Sequence, residues 1–249
     1  VLYAVIAIGF VGASFLFSML GLGGALIYLP VLTWAGFQVK EVAIPLALLL
    51  NGLTTLIALV SYFRGRLVDW KGGLGMSIGA FLFAPVGAVA SNAVPVRLLL
   101  VLFAVAVVVA AFRMLLTSRK PEPKDLMSLR KRLIIGAAVG VFAGFVAGLL
   151  GIGGGFIMSP LLMWMGYETK RAVATSAFAV TFSSFSGFAG HVAQGHFEPG
   201  LTLLLAVAVL AGAFTGSRFM VRRAKSSRVK QVFAVVLFGI ATKLLFGVL

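Results

Sequence analysis

Two glycine clusters are the places where this chain can do chemistry with its backbone. One reads "GLGGALIYLP" from Gly21, the other "GLLGIGGGFIMSP" from Gly148. Glycine weakens a helix by roughly 1 kcal/mol relative to alanine, so each cluster marks a break where a turn or a close approach is needed. A helix restarting after such a break leaves its first N–H groups without partners, at a positive dipole end. That arrangement suits an anion, and Gly21, Gly23 and Gly24 with Gly151, Gly153, Gly154 and Gly155 are the candidate backbone donors. The competing explanation is close helix packing through small residues. Two clusters, each followed by proline at the same spacing (Pro30 and Pro160), favour the binding site.

Polar side chains follow each cluster. "KRAVATSAFAVTFSSFSGFAGH" places Thr175, Ser176 and Thr181 among six hydroxyls within 12 residues, and "KEVAIPLALLLNGLTTLIALV" contributes Asn51. Hydroxyls in helices often bond only their own carbonyls. An amide in hydrocarbon must find a partner, which makes Asn51 the more telling residue. His191 closes the second stretch and is the candidate for a proton-linked role, against the simpler reading of an interfacial histidine. One helix end contributes only about 0.3–2 kcal/mol and desolvating an ion costs far more, so several donors must converge.

The elements that hold these residues are apolar. Hydrophobic residues make up 61% of the 249, charged ones 11%, against about 25% charged in soluble domains. Stretches close to the roughly 20 residues of a membrane span recur throughout. The net charge of +15 raises the question of nucleic acid, but 15 of the 21 Lys and Arg residues sit in "RGRLVDWK", "RKPEPKDLMSLRKR" and "RFMVRRAKSSRVK". Basic clusters between apolar runs mark cytoplasmic loops, so no nucleic-acid partner is expected; the expected setting is the inner or plasma membrane and its lipid. There is no cysteine, which excludes thiol chemistry and disulfides. Neither a cofactor nor a metal is expected.

An internal repeat organises the chain. Gly21–Ile44 overlies Gly151–Ala174 at an offset of 130, matching Gly, Pro, Trp and Lys as well as apolar residues. The expected layout is a first membrane repeat over 1–117, a basic cytoplasmic linker over 118–131 and a second repeat over 132–249. Equivalent loops differ in charge: "RGRLVDWK" is basic where "HVAQGHFEPG" has no Lys or Arg, and "SNAVPVR" holds one basic residue where "RFMVRRAKSSRVK" holds six. The expected fold is therefore an all-α polytopic membrane protein made of two inverted repeats. Each has about five segments: 1–20, 21–37, 41–63, 72–91 and 96–117, then 132–150, 151–167, 170–191, 200–217 and 229–248. The second of each five is a short, glycine-broken helix.

In these motifs the chain resembles the TauE/SafE sulfite exporter family, also called the toluene sulfonate uptake permease family. The resemblance rests on the duplicated glycine turns with their prolines, on "KRAVATS" with "GHVAQGHFEPG", and on "KEVAIPLALLLN…RGRLVDW". It implies a carrier for sulfite, thiosulfate or sulfonates such as sulfoacetate, with Thr175 and Ser176 facing the substrate path. The first half departs there, with Ile44-Pro45 in place of Ala174-Thr175, which moves its polar contribution to Asn51. All six carboxylates lie in loops or at segment ends, against coupling through a buried acid. The expectation is a secondary transporter that exports a small sulfur oxyanion by alternating access, and not an enzyme. The alternatives are ion-coupled uptake of an organic anion and an intramembrane hydrolase, the latter lacking GxSxG and HExxH motifs.

Overall fold

In the computed structural model, residues 2–95, 125–192 and 197–229 are described, with scattered positions between 97 and 112 and between 231 and 239. The expected fifth segment of each half falls largely outside them, as do residues 118–124 of the linker and residues 193–196. The elements are α1 (Leu2–Leu20), α2 (Ala25–Trp34), a π-helical turn (Val39–Ala43) running into α3 (Ile44–Arg64), α4 (Trp70–Ala93), α5 (Leu129–Leu150), α6 (Gly155–Trp164), α7 (Thr169–His191) and α8 (Pro199–Arg222). Among the described residues there is no strand. Also among the described residues, six spans are long and apolar enough to cross a membrane: α1, α3 with its π turn, α4, α5, α7 and α8. At 10 residues each, α2 and α6 are about 15 Å long, half of a ~30 Å hydrocarbon core.

Two boundaries differ from the sequence reading. The first turn of α5 takes in Arg130, Lys131 and Arg132, assigned above mainly to the linker, and α8 runs through Arg218 to Arg222, past the expected end at 217. Long cationic side chains carry their charge away from the helix axis to water, so a charge run does not end a helix. The π turn has a local cause. Pro45 lacks the N–H that Glu41 would use, and Val42 and Ala43 both bond back to the carbonyl of Gln38.

Glycines set the tightest seams. Along α4 and α5, Gly75 lies against Leu133, Gly144 against Ala80 and Gly148 against Ala84, so close that a side chain would overlap the partner's backbone. The register advances together, and the two helices run parallel. Likewise Gly212 and Gly216 of α8 lie on Val11 and Phe15 of α1. Thus α5 packs on α4 and α1 on α8. The third helices meet in the middle with opposite sense: Leu48 lies beside Gly187, Asn51 beside Ser184 and Thr55 beside Thr181. The outside is apolar, with Ile8, Val89, Phe142 and Leu203 among its most exposed side chains.

Candidate functional site at the glycine turns

Both turns use the same left-handed device. Gly21 (φ 65°) and Gly151 (φ 73°) end α1 and α5 in a conformation that side chains disfavour. Leu22 and Ile152 then bond back to Phe17 and Ala147. Gly23 (φ 68°) and Gly153 (φ 73°) repeat the conformation two residues on. Each turn reaches into the other repeat, Gly21 against Val173 of α7 and Gly151 against Ile44 of α3, while Gly155 touches Leu22. The two turns therefore meet.

Asn51 sits where they meet, near the middle of the 26-residue span formed by the π turn and α3. Its Oδ1 accepts the N–H of Ala25, the first residue of α2, at 2.8 Å, and its Nδ2 donates to Ser184 Oγ at 2.7 Å. Gly23 and Gly153 lie against this amide with no room for a side chain. Ser183 Oγ donates to the Gly153 carbonyl at 3.0 Å. Thr181 donates to Thr55 Oγ1 at 2.9 Å, tying α7 to α3, and Tyr28 OH pairs with Thr54 Oγ1 at 3.0 Å. Asn51, Gly23, Gly24, Gly153 and Thr181 thus join one buried polar seam. Ser183, Ser184, Tyr28 and Thr54 complete it without having been singled out as site residues; for the two serines, the three-residue spacings Thr181–Ser184 and Ser183–Ser186 along α7 were the available signal.

Below that seam two hydroxyls stand alone. Ser159 in α6 and Ser176 in α7 are both fully buried, and neither Oγ has a hydrogen-bond partner. Gly155 lies against Val180, and α6 leads through a short connection into α7, so the two helices form an antiparallel hairpin. Ser159 is one turn on from Gly155 and Ser176 one turn back from Val180, so the antiparallel pairing gives them a similar height along the hairpin. An unmet buried hydroxyl costs about 1–3 kcal/mol, which a ligand oxygen or a water would offset.

Other expected residues lie apart. Thr175 Oγ1 accepts the N–H of Asp69 at 3.0 Å and packs on Gly73 at the start of α4. His191 Nε2 lies 3.0 Å from the Gly148 carbonyl; a carbonyl only accepts, so that nitrogen carries the proton. The pair ties the end of α7 to the last turn of α5, about 10 Å along the helix from Ser184. Gly154 packs on Ala143 and Ala147 of α5. Among the described residues, no three His, Asp or Glu side chains converge as a metal ion would need.

The two ends of the bundle are fastened differently. At the basic end, Asp69 pairs with Arg132, and Tyr167 OH donates to Asp69 Oδ2 at 2.9 Å, joining the starts of α4, α5 and α7. Burial pushes the Tyr167 phenol up to about 12, with Arg132 drawing it down and Asp69 raising it. At the other end, Lys40 Nζ donates to the Val94 carbonyl at 2.9 Å, and Tyr3 OH donates to Glu198 at 3.0 Å.

Among the described residues, this arrangement places hydrogen-bond donors and no carboxylate around the two helix starts. The comparisons with known proteins agree on transport. The chain is 28% identical to "Probable membrane transporter protein YunE" of Bacillus subtilis, covering 92% of each chain. It is 26% identical to "Probable membrane transporter protein MJ0441" of Methanocaldococcus jannaschii, over 75% of this chain and 71% of that one. A shorter stretch, 37% of this chain and 19% of the other, is 37% identical to "Sulfite exporter TauE/SafE family protein 3" of Arabidopsis thaliana. No solved structure matches. The family model described as "Sulfite exporter TauE/SafE" matches residues 5–244, so this chain, a multi-pass membrane protein, belongs to the TauE/SafE family of membrane transporters.

Proposed function

We propose that the protein is a secondary carrier for a small sulfur oxyanion or sulfonate, held where the two glycine turns meet and moved outward by alternating access of two inverted repeats. The observation that carries this reading is the convergence of both turns on Asn51, which brings the starts of α2 and α6 together near the middle of the bundle. Ligand donors are the free N–H groups of those helix starts, the Ser184 proton left over after it accepts from Asn51, and the hydroxyls of Ser159 and Ser176. The opposite sense of α3 and α7, which occupy equivalent places in the repeats, supports the inversion.

The basic end, with Arg64, Arg132 and Arg218, faces the cytoplasm in this reading. An anion leaving a cell that is negative inside by about 100 mV gains roughly 2.3 kcal/mol per charge. Export therefore needs no coupled ion, and none of the described side chains around Asn51 is a carboxylate that would bind one. The Asp69–Arg132–Tyr167 cluster serves as the inner clamp, the Lys40–Val94 contact as its outer counterpart.

The test is sulfite efflux from proteoliposomes, together with thermal stabilisation of the purified protein across sulfur oxyanions, sulfonates and carboxylates. A ligand at 100 times its dissociation constant raises stability by about 2.7 kcal/mol. Stabilisation by a sulfur anion, weakened in Ser176→Ala, is expected; stabilisation by carboxylates alone would overturn the substrate class. Because the chain has no cysteine, Arg66→Cys and Glu198→Cys give clean labelling sites. The first should react only from the cytoplasm and the second only from outside, and labelling of both from one side would sink the inverted topology.

A further inference from the structure

A second charged feature lies outside the glycine turns. At the basic end, the last turns of α3 and α8 run side by side, and Arg64, Arg218 and Arg222 surround a recess of about 190 Å³ with Ser61, Gly65 and Phe214 in its lining. We infer that this recess is an oxyanion-binding site, distinct from the one at Asn51.

Three observations carry the inference. The lining holds three guanidinium groups and no carboxylate. None of the three arginines forms an ion pair with a described acidic residue. Capping does not occupy them either. The carbonyls of Ser61, Phe63 and Phe219 receive the backbone N–H groups of Gly65, Arg66 and Arg223, and no hydrogen bond ties the three guanidinium groups to a carbonyl among the described residues. Ser217 Oγ lies 3.0 Å from Ser61 Oγ and 3.2 Å from the Phe214 carbonyl, which fixes the Ser61 hydroxyl in the wall of the recess. Arg218 lies 5.0 Å over the Phe214 ring, a contact that holds its planar fork in place.

The internal repeat supplies a control. Positions equivalent to Ser61, Phe214, Arg218 and Arg222 are His191, Ala84, Ala88 and Asn92. The helix seam is repeated at the other end without its cations, so packing alone does not call for them. The three arginines are exposed, so binding there is weak, quickly reversed and sensitive to salt. At about 30 Å³ per water, the recess has room for about six waters, enough for a sulfite- or phosphate-sized group that keeps part of its hydration. That chemistry belongs equally to a free oxyanion and to the phosphate of an anionic lipid reaching in past Phe214. As a loading station for the carrier the recess depends on the transport reading; as a binding site it does not.

The test uses the full chain, purified in neutral detergent, with sulfite and inorganic phosphate as probes at low ionic strength, followed by calorimetry. R64Q/R218Q/R222Q is expected to weaken the salt-sensitive binding at least tenfold, while Ser176→Ala leaves it in place. Arg222→Gln alone, on the exposed end of α8, should weaken it several-fold and serves if the triple variant does not fold. Flux into vesicles of phosphatidylcholine, with and without phosphatidylglycerol, separates the sources. A free oxyanion predicts a half-saturating sulfite concentration raised in both, with an unchanged maximum. A lipid phosphate predicts a defect only where phosphatidylglycerol is present. Unaltered binding of sulfite, phosphate and phosphatidylglycerol by both variants would overturn the inference. Absent sulfite flux with intact recess binding would count against the transport reading and leave the recess standing.

Discussion

The two glycine turns are built to one plan and finished differently. In the first half the protein satisfies the polar groups of its own turn. Asn51 takes the leading N–H of α2, Tyr28 finds Thr54, and the positions equivalent to Ser159 and Ser176 are Leu29 and Leu46. In the second repeat no side chain caps α6, and Ser159 and Ser176 are buried without partners. In the proposed function, that difference assigns the first turn to scaffold and the second to ligand contact. A turn whose polar groups are all satisfied holds shape, and a turn with unsatisfied groups is where a ligand gains most from arriving.

The strongest test of that contrast removes what the turns share. Gly153→Val forces a side chain into a left-handed position and onto the Asn51 amide; strain of about 1–2 kcal/mol plus overpacking of about 1–3 kcal/mol should abolish transport and lower the thermal midpoint sharply. Gly23→Val should do the same, and a mild effect in either would mean the turns do not meet at Asn51. Asn51→Ala leaves the Ala25 N–H unpaired in the interior and should cost about 1–3 kcal/mol, read as a lowered unfolding midpoint. The next pair separates the halves. Tyr28→Phe should lose about 1 kcal/mol of stability with ligand affinity intact, whereas Ser176→Ala should raise the ligand-free stability and bind about tenfold more weakly, as for one lost hydrogen bond to a charge. The reverse outcome would exchange the roles assigned to the two repeats.

The smallest expected effect lies at the basic end. The Tyr167 phenol is raised to about 12 in the fold, against about 10 when unfolded. Its contribution is therefore complete below about pH 10 and is lost as the pH climbs towards about 12. Tyr167→Phe should flatten that part of a stability–pH profile, and an unchanged slope would refute the assignment.

Much of this was legible in the sequence, for reasons that differ by residue. The glycine turns and the spans stand out because clustered glycines followed by proline, and charge confined to a few short segments, are informative in an apolar chain. Asn51 was legible because an amide in hydrocarbon demands a partner. Which hydroxyl it would meet was not: Ser183, Ser184 and Ser186 are chemically alike, and only the rotation of α7 selects Ser184. Thr175 belongs to the same motif as Ser176, yet one residue of helical rotation turns it to the Asp69 N–H. Ser159 was hidden among apolar neighbours. The arginine recess was hidden because Arg64 and Arg218 read as ends of separate loops until α3 and α8 are seen side by side.

The crossed packing of the first and fourth helices has a consequence for how the chain is made. The groove that receives α5 is supplied by α4, which precedes it across the linker, so that seam can form as synthesis proceeds. The face of α1 around Val11 and Phe15 waits for Gly212 and Gly216, which leave the ribosome some two hundred residues later. Contacts so distant in sequence form slowly, and an incomplete chain exposes the surface they will cover. A chain cut after the first repeat therefore leaves α1 with its main seam unmade, and the insertion machinery must hold that helix until the eighth arrives.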